Sequence, residues 1–519
     1  MDIPEETTRP VTHKALLAVL SGLMLSASFP PGKMSFLVWF ALVPLLKSLD
    51  SETPSNAFRL GLVAGTTHFL TLIYWIVVVL AYYGGLNSFV SLGPLFLMSL
   101  YLALYPAFFS GLTILLARSR FVIIMMASLW VGLEFIRAKV LTGFPWCLLG
   151  HTQYEHLHLI QIADILGVYG ISFFIVLVNG LIYHILSGRS CKGPTHLKWE
   201  VVFVALTTCA ILGYGHYRLS ESLPNKGFTK NIKATIIQAN IDQSIKWDPI
   251  YQTRTMEIYK RLTRTSYDFD PELIVWPETA VPFFFQDNPR FSPEIYSLAR
   301  ESGGVLIFGS PAYKEFAGAI NYHNRAYLIT PDDESPQIYD KTHLVPFGEY
   351  IPLKKFLFFI HRLVPAAGDF EAGHEIVPLG RGDFSVGVLI CFEAVFPELA
   401  RTYARKGADI LVNLTNDAWF GSTSAPHQHL SMAIFRAVEN KRPMIRAANT
   451  GFSAFIRPSG EVVKKGELFQ EATLHSTVDL PGSSLTFYAK FGDLFASFLL
   501  IITLAGLFFH IRVKRVDPG

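Results

Sequence analysis

The sequence predicts a bundle of about eight α-helical transmembrane segments joined to one α/β domain, and three observations lead there. Of the 519 residues, 51% are apolar and only 16% are Asp, Glu, Lys or Arg, against about 25% charged in an ordinary soluble domain. The deficit is concentrated, because no charged residue occurs from Leu60 to Ala117, a run that no water-soluble fold hides. From about residue 224 to 489, short β-rich runs alternate with helical stretches instead. A wholly soluble enzyme, a disordered regulator and a nucleic-acid-binding protein are thereby excluded as readings of the whole chain. The net charge of +3 is too small to argue for a polyanionic partner.

Seven apolar segments precede residue 220: Ala15–Phe29, Met34–Leu46, Leu60–Tyr83, Phe89–Ala117, Phe121–Leu133, Val168–Ser187 and Val201–Tyr217. An eighth, Phe491–Ile511, follows the polar region. Several match the ~20 residues needed to cross a bilayer, while the second and fifth are short. Ala15–Phe29 resembles a signal-peptide core, but further spans follow and no convincing cleavage site appears, so a retained first helix is expected.

The positive-inside rule tests the count. With the N-terminus inside, the inner segments hold Arg9, Lys14, Lys47, Arg59, Arg118, Arg120, Arg189, Lys192, Lys198, Arg512, Lys514 and Arg515. The short outer loops hold only Lys33, Arg137 and Lys139. The expected division is a membrane domain at 1–223, an outer catalytic domain at 224–489, and an eighth helix with a cytoplasmic tail at 490–519.

Within the polar region, strands are expected at Lys233–Gln238, Leu273–Val275, Val305–Gly309, Phe384–Ile390, Ile410–Asn413, Met444–Ala447 and Ser453–Ile456, with a hairpin turn at Pro458-Ser459-Gly460. Helices are expected at Tyr251–Thr265, Pro397–Lys406 and His427–Asn440.

Chemistry gathers at three strand ends, all expected in one sheet. Leu273–Val275 runs into Trp276-Pro277-Glu278, and a carboxylate at a strand end beside apolar walls suits a general base. Lys341 follows a short strand, with Glu349 eight residues on, and its ammonium suits a developing oxyanion. Phe384–Ile390 breaks at Cys391-Phe392-Glu393 before a helix. That turn can expose the sulfur, offer the Phe392 N–H as an oxyanion donor and lower the thiol pKa, and a low thiol pKa is expected.

The triad Glu278, Lys341 and Cys391 resembles that of the nitrilase superfamily, which works on carbon–nitrogen bonds through a cysteine thioester or thioimidate. Ile236–Asn240 as first strand and the run Asn413-Leu414-Thr415-Asn416-Asp417-Ala418-Trp419-Phe420-Gly421 extend the likeness. With its helices, Asp242-Gln243-Ser244-Ile245-Lys246-Trp247 and Val345-Pro346-Phe347-Gly348-Glu349-Tyr350-Ile351-Pro352, the chain resembles the bacterial apolipoprotein N-acyltransferases. The resemblance implies an αββα nitrilase-type domain, with Glu278 as base, Lys341 as oxyanion stabiliser and Cys391 as nucleophile. It makes Glu349, Trp247 and Glu393 supporting residues. One position departs from the family, where Tyr commonly follows the nucleophile and here Phe392 does.

The resemblance further implies a phospholipid acyl donor, a diacylated lipoprotein acceptor, a multi-pass place in the bacterial inner membrane and a catalytic domain facing the periplasm. No nucleic acid, metal or cofactor is expected, and a monomer is. No GxSxG elbow, HExxH, phosphate-binding Gly loop or dinucleotide fingerprint occurs, and the four cysteines form no ligand cluster.

Ile351–Phe370 carries Phe356, Phe358 and Phe359 beside Lys354, Lys355, His361 and Arg362. Basic-plus-aromatic stretches rest on membrane surfaces, so a lipid-dipping lid is expected there, with a buried core helix as the alternative. His427 and His429 read as structural. Glu134 and Arg137 read either as headgroup contacts or as a self-neutralising i, i+3 pair. An amidase or nitrilase merely anchored in the membrane is the rival enzyme reading. A transport or scaffold protein with a dead domain is the rival from another class.

Overall fold

The computed structural model describes residues 11–516 apart from 118, 189–193, 222–227, 317, 334, 352–369, 381 and 483. Its contacts divide the chain into two units: Met1–Tyr74, Phe89–Gly215 and Asp493–Gly519 form the first, and Trp75–Ser88 with His216–Gly492 the second.

The first unit is helical. Among the described residues, Ser88–Leu116, Val168–Ser187 and His196–Ser220 are each long and apolar enough to cross a membrane. The pair Pro54–Leu72 and Trp75–Tyr83 passes the same test only if taken as one span, and it is bent by 48°. The apolar run Leu60–Tyr83 is therefore broken in the middle. Thr12–Ala27, Ser35–Ser48, Leu157–Leu166 and Leu494–Phe508 are shorter apolar helices.

Met34–Leu46 is likewise interrupted, by a 3₁₀ turn at Ser35–Trp39 followed by a helix at Val43–Ser48. The buried Asn179 amide satisfies the break, accepting from the Leu42 N–H at 2.9 Å and donating to the Val38 carbonyl at 2.9 Å. Buried backbone groups left out of a regular helix require partners of this kind. Glu134 and Arg137 are both buried. Rather than meeting solvent, Glu134 accepts from the Leu149 N–H at 2.7 Å and Arg137 reaches the Cys147 carbonyl at 3.4 Å, so the two tie down the loop after their helix.

Among the described residues, the second unit contains twelve strands: β1 (Phe228–Gln238), β2 (Leu273–Val275), β3 (Val305–Phe316), β4 (Ala319–Ile329), β5 (Gln337–Asp340), β6 (Leu379–Gly380), β7 (Ser385–Ile390), β8 (Ile410–Thr415), β9 (Met444–Ala448), β10 (Ala454–Ile456), β11 (Val462–Lys465) and β12 (Ala472–Pro481). They form two six-stranded sheets in the orders β12-β1-β2-β3-β4-β5 and β11-β10-β9-β8-β7-β6. Each sheet is mixed, with a parallel trio, β1-β2-β3 or β7-β8-β9, flanked by antiparallel neighbours.

This corrects the expectation of a single sheet. Glu278 and Lys341 follow strands of the first sheet, and Cys391 follows a strand of the second. Strand pairing is set by long-range partners, which a period-2 pattern does not name. The expected strands are present, several of them longer, and Gly460 (φ +87°) makes the expected turn between β10 and β11.

The core beneath the first sheet is aromatic. Trp276 stacks on Tyr259 at 4.7 Å between ring centroids, and its indole N–H donates to Thr263 Oγ1 at 3.1 Å. Phe308, Phe285 and Tyr327 complete the cluster. Such packing leaves little freedom to the chain two residues on, at Glu278.

The segment Trp75–Ser88, although part of the apolar run, belongs to this second unit. Trp75 donates its indole N–H to Gln428 Oε1 at 3.2 Å and meets the Phe420 ring edge-on at 5.0 Å. Tyr83 meets Trp419 at 5.2 Å.

Candidate active site

Glu278 follows β2 on a turn stitched to β3. Gly309 N–H donates to the Pro277 carbonyl at 3.1 Å, and the Val281 N–H returns to the Gly309 carbonyl at 3.1 Å. The approach demands glycine, since a Cβ at Gly309 would lie 2.5 Å from Thr279 N and 2.8 Å from Glu278 Cα. Thr279 itself is left-handed (φ +46°). The buried ammonium of Lys246 secures that turn, donating to Thr279 Oγ1 at 2.7 Å and to the Glu278 carbonyl at 3.3 Å. Burial pushes Lys246 down to about 8, with Glu278 opposing.

Lys341 follows β5 and is 1% exposed. Its Nζ donates to Glu349 Oε1 at 2.8 Å and lies 3.7 Å from Glu278 Oε1. Burial alone would favour the neutral amine, but Glu349 and Glu278 outweigh it and hold its pKa above that of an ordinary lysine. Asn324 on β4 completes the cluster by donating its side-chain amide to Glu278 Oε1 at 2.7 Å and to Glu349 Oε1 at 2.9 Å. The other Glu349 oxygen accepts the Val345 N–H at 2.8 Å, which fixes the Lys341–Glu349 loop.

Cys391 sits where β7 breaks, in a left-handed conformation (φ +52°) that costs a non-glycine residue of order 1–3 kcal/mol. Glu393 holds the break. One oxygen accepts the Ile390 N–H at 2.7 Å, and the other accepts from Thr342 N–H (2.8 Å), Thr342 Oγ1 (2.9 Å), His343 N–H (3.1 Å) and Tyr339 OH (2.8 Å). One buried carboxylate thus joins the strand end bearing Cys391 to the one bearing Lys341.

The expected low thiol pKa is not what the site produces. Burial pushes the Cys391 thiol up, the Glu278 charge adds to this, and Lys341 only partly opposes them. These effects favour the protonated thiol. The Phe392 ring, partly buried, packs edge-on against Phe396 at 5.0 Å and beside His343 at 6.0 Å.

The structure thus brings Glu278, Lys341, Glu349, Cys391 and Glu393 together through shared partners and charge interactions. Trp247 is half exposed, and its neighbour Lys246 is the residue that reaches Glu278. Phe356, Phe358 and Phe359 lie outside the described residues. Sequence reasoning missed Asn324, whose strand was not read at all. It also missed Lys246, although that residue lies inside the quoted Asp242–Trp247 run. No cluster of His, Cys, Asp and Glu suited to a metal occurs among the described residues.

Residues 21–181 match the family profile described as apolipoprotein N-acyltransferase N-terminal domain, and residues 233–486 match carbon-nitrogen hydrolase. Over 484 residues the chain is 46% identical to the apolipoprotein N-acyltransferase of Geobacter metallireducens, covering 93% of this chain and 92% of that one. The chain belongs to the apolipoprotein N-acyltransferase family. Its likeness to the member from Photobacterium profundum is 33% identity over 492 residues, 92% of each chain. Among solved structures, Saccharomyces cerevisiae Nit3 of the nitrilase superfamily aligns at 18% identity and a TM-score of 0.39, over 49% of this chain and 92% of its own.

Proposed function

We propose that this membrane enzyme of the nitrilase superfamily moves an acyl chain from a phospholipid to the N-terminal amine of a diacylglyceryl-cysteine lipoprotein by way of a Cys391 thioester. One observation carries the reading: the buried Lys341 ammonium is held between Glu278 and Glu349 in the charge field that also reaches Cys391. The 46% identity to an apolipoprotein N-acyltransferase supports the choice of donor and acceptor.

The steps follow from the groups present. Glu278 takes the Sγ–H proton as the sulfur attacks the ester carbonyl carbon of the donor. The resulting oxyanion lies against the Lys341 ammonium and the Phe392 N–H. Collapse breaks the C–O bond, and the lyso-lipid leaves as an alcohol carrying the proton from Glu278. The acceptor amine then attacks the thioester, Glu278 takes one amine proton, and the C–S bond breaks to leave an amide. The returned proton restores the Cys391 thiol. Asn324 keeps Glu278 oriented with an oxygen toward the lysine side.

The proposal includes an eight-helix, multi-pass topology with both termini inside and the catalytic domain facing the periplasm, supported by the twelve-to-three distribution of Lys and Arg. It also includes an αββα layering, supported by helices Pro249–Arg264 and Ser292–Ser302 near the first sheet and Pro397–Arg405 and Ala425–Asn440 near the second. A monomer suffices, since one chain carries every group invoked.

Intact-mass analysis tests the reading. Protein incubated with phosphatidylethanolamine alone should gain one acyl mass on Cys391 and release one equivalent of lyso-lipid. A diacylglyceryl-cysteine peptide should then remove that mass. Lyso-lipid appearing only when the peptide is present would replace the thioester route with direct transfer, and release of free fatty acid without transfer would favour a hydrolase.

A further inference from the structure

His429 reads from sequence as a core histidine, yet it touches the nucleophile's own backbone. Its Nε2 lies 3.1 Å from the Cys391 carbonyl oxygen. A carbonyl only accepts, so Nε2 carries the proton. On the other side of the ring, Nδ1 is 3.1 Å from an Arg446 guanidinium nitrogen and 3.1 Å from Asp417 Oδ1. Burial first, and Arg446 next, disfavour a second proton on the ring, while Asp417 opposes them with a smaller effect. Arg446 is anchored in turn by Asp417 Oδ2 at 2.7 Å and by Asn413 Oδ1. Asn413 sends its amide back to the Cys391 carbonyl at 3.3 Å and to the Leu389 carbonyl at 2.9 Å.

Two buried donors thus grip one carbonyl, at a residue whose left-handed backbone needs holding. The peptide joining Cys391 to Phe392 is planar and trans, so its C=O and N–H point in opposite directions. Fixing the carbonyl toward His429 and Asn413 fixes the Phe392 N–H on the far side. We propose that His429, with Asn413, is a positioning residue for oxyanion stabilisation: it locks the Cys391–Phe392 peptide plane so that the Phe392 N–H faces the acyl oxygen. This rests on Cys391 being the acylated nucleophile.

Two reactions of the same sulfur separate orientation from packing. Acylation by p-nitrophenyl octanoate forms an oxyanion, whereas alkylation by iodoacetamide displaces iodide at a saturated carbon and forms none. In full-length protein carrying Cys209→Ser, to remove an exposed thiol, His429→Leu should lower the acylation rate ~10- to 100-fold. Alkylation of Cys391 should stay within about twofold. His429→Gln retains an N–H able to reach the carbonyl and should recover most of the acylation. Asn413→Ala, which removes the second donor, should give a smaller loss in acylation alone.

Equal losses in both reactions, or no loss in either, would overturn the proposal. Should His429→Leu fail to fold, Asn413→Ala and His429→Gln decide the matter by the same ratio. If the parent protein is alkylated at Cys391 but never acylated there, the nucleophile assignment falls instead.

Discussion

Asn324 and Glu278 are joined by a 2.7 Å hydrogen bond from Nδ2 to Oε1, and the same amide nitrogen reaches Glu349 at 2.9 Å. A neutral amide therefore keeps two carboxylates apart while turning both toward one lysine. Replacing it by a third acid, Asn324→Asp, should crowd the site with like charge and drive a proton onto the cluster, disabling the base. A fall of about 100-fold in single-turnover acylation of Cys391 is expected, with Asn324→Gln less affected. Unchanged acylation in Asn324→Asp would remove Asn324 from the site.

Beyond its proposed role as oxyanion stabiliser, Lys341 neutralises the buried Glu278 and the partly buried Glu349. Lys341→Met should lose acyl transfer and also destabilise the protein, since stripping one partner from a buried ion pair costs about 3–5 kcal/mol. Adding Glu349→Gln removes one orphaned charge, so the double variant should regain part of the melting temperature and none of the activity. Parallel recovery of both would mean that Lys341 serves stability only.

The raised thiol pKa of Cys391 has a definite sign in solution. A thiol raised above its ordinary value is mostly protonated at neutral pH, and its thiolate fraction grows about tenfold per pH unit until that pKa is passed. Iodoacetamide alkylation of Cys391 should therefore climb from pH 7 to beyond pH 9, and Lys341→Met, which removes the opposing cation, should shift the curve upward. A plateau reached by pH 7 would contradict this.

Gly309→Ala tests the turn beneath Glu278. A methyl group 2.5 Å from Thr279 N must displace the turn, and an ångström of misplacement at a reacting group costs about 100-fold. The kcat of acyl transfer should fall accordingly, with a smaller effect on KM. Normal kcat in a folded variant would show that the turn tolerates the shift.

Much of the site was legible because strand ends announce themselves. Leu273–Val275, Ser385–Ile390 and the short strand before Lys341 each stop at a residue of distinctive chemistry. What stayed hidden depended on pairing across the fold. β4 begins with exposed Ala319, Ile320 and Tyr322 around a half-buried Asn321 and ends buried, so its sequence shows neither clean alternation nor a continuous apolar run, and Asn324 went unseen with it. The division into two sheets was hidden for the same reason. The helix break at Ile73–Tyr74 carries no proline or charge, and the partners of the chain beyond it, Gln428 and Phe420 for Trp75, lie more than 300 residues on. The thiol pKa was misjudged because a strand-to-helix turn was weighed without the burial that surrounds it.

The short piece Trp75–Ser88, folded with residues 216–492, has a consequence for how such a protein is inherited. The chain passes between its two units four times, after Tyr74, Ser88, Gly215 and Gly492. A gene fragment encoding 216–492 alone would omit the Trp75 indole bonded to Gln428, the residue beside His429. Its product would begin life with a missing wall. Recombination that swaps one half of the gene for that of a distant relative would have to carry fourteen codons from the other half to keep this packing. The two parts are thus bound to change in step.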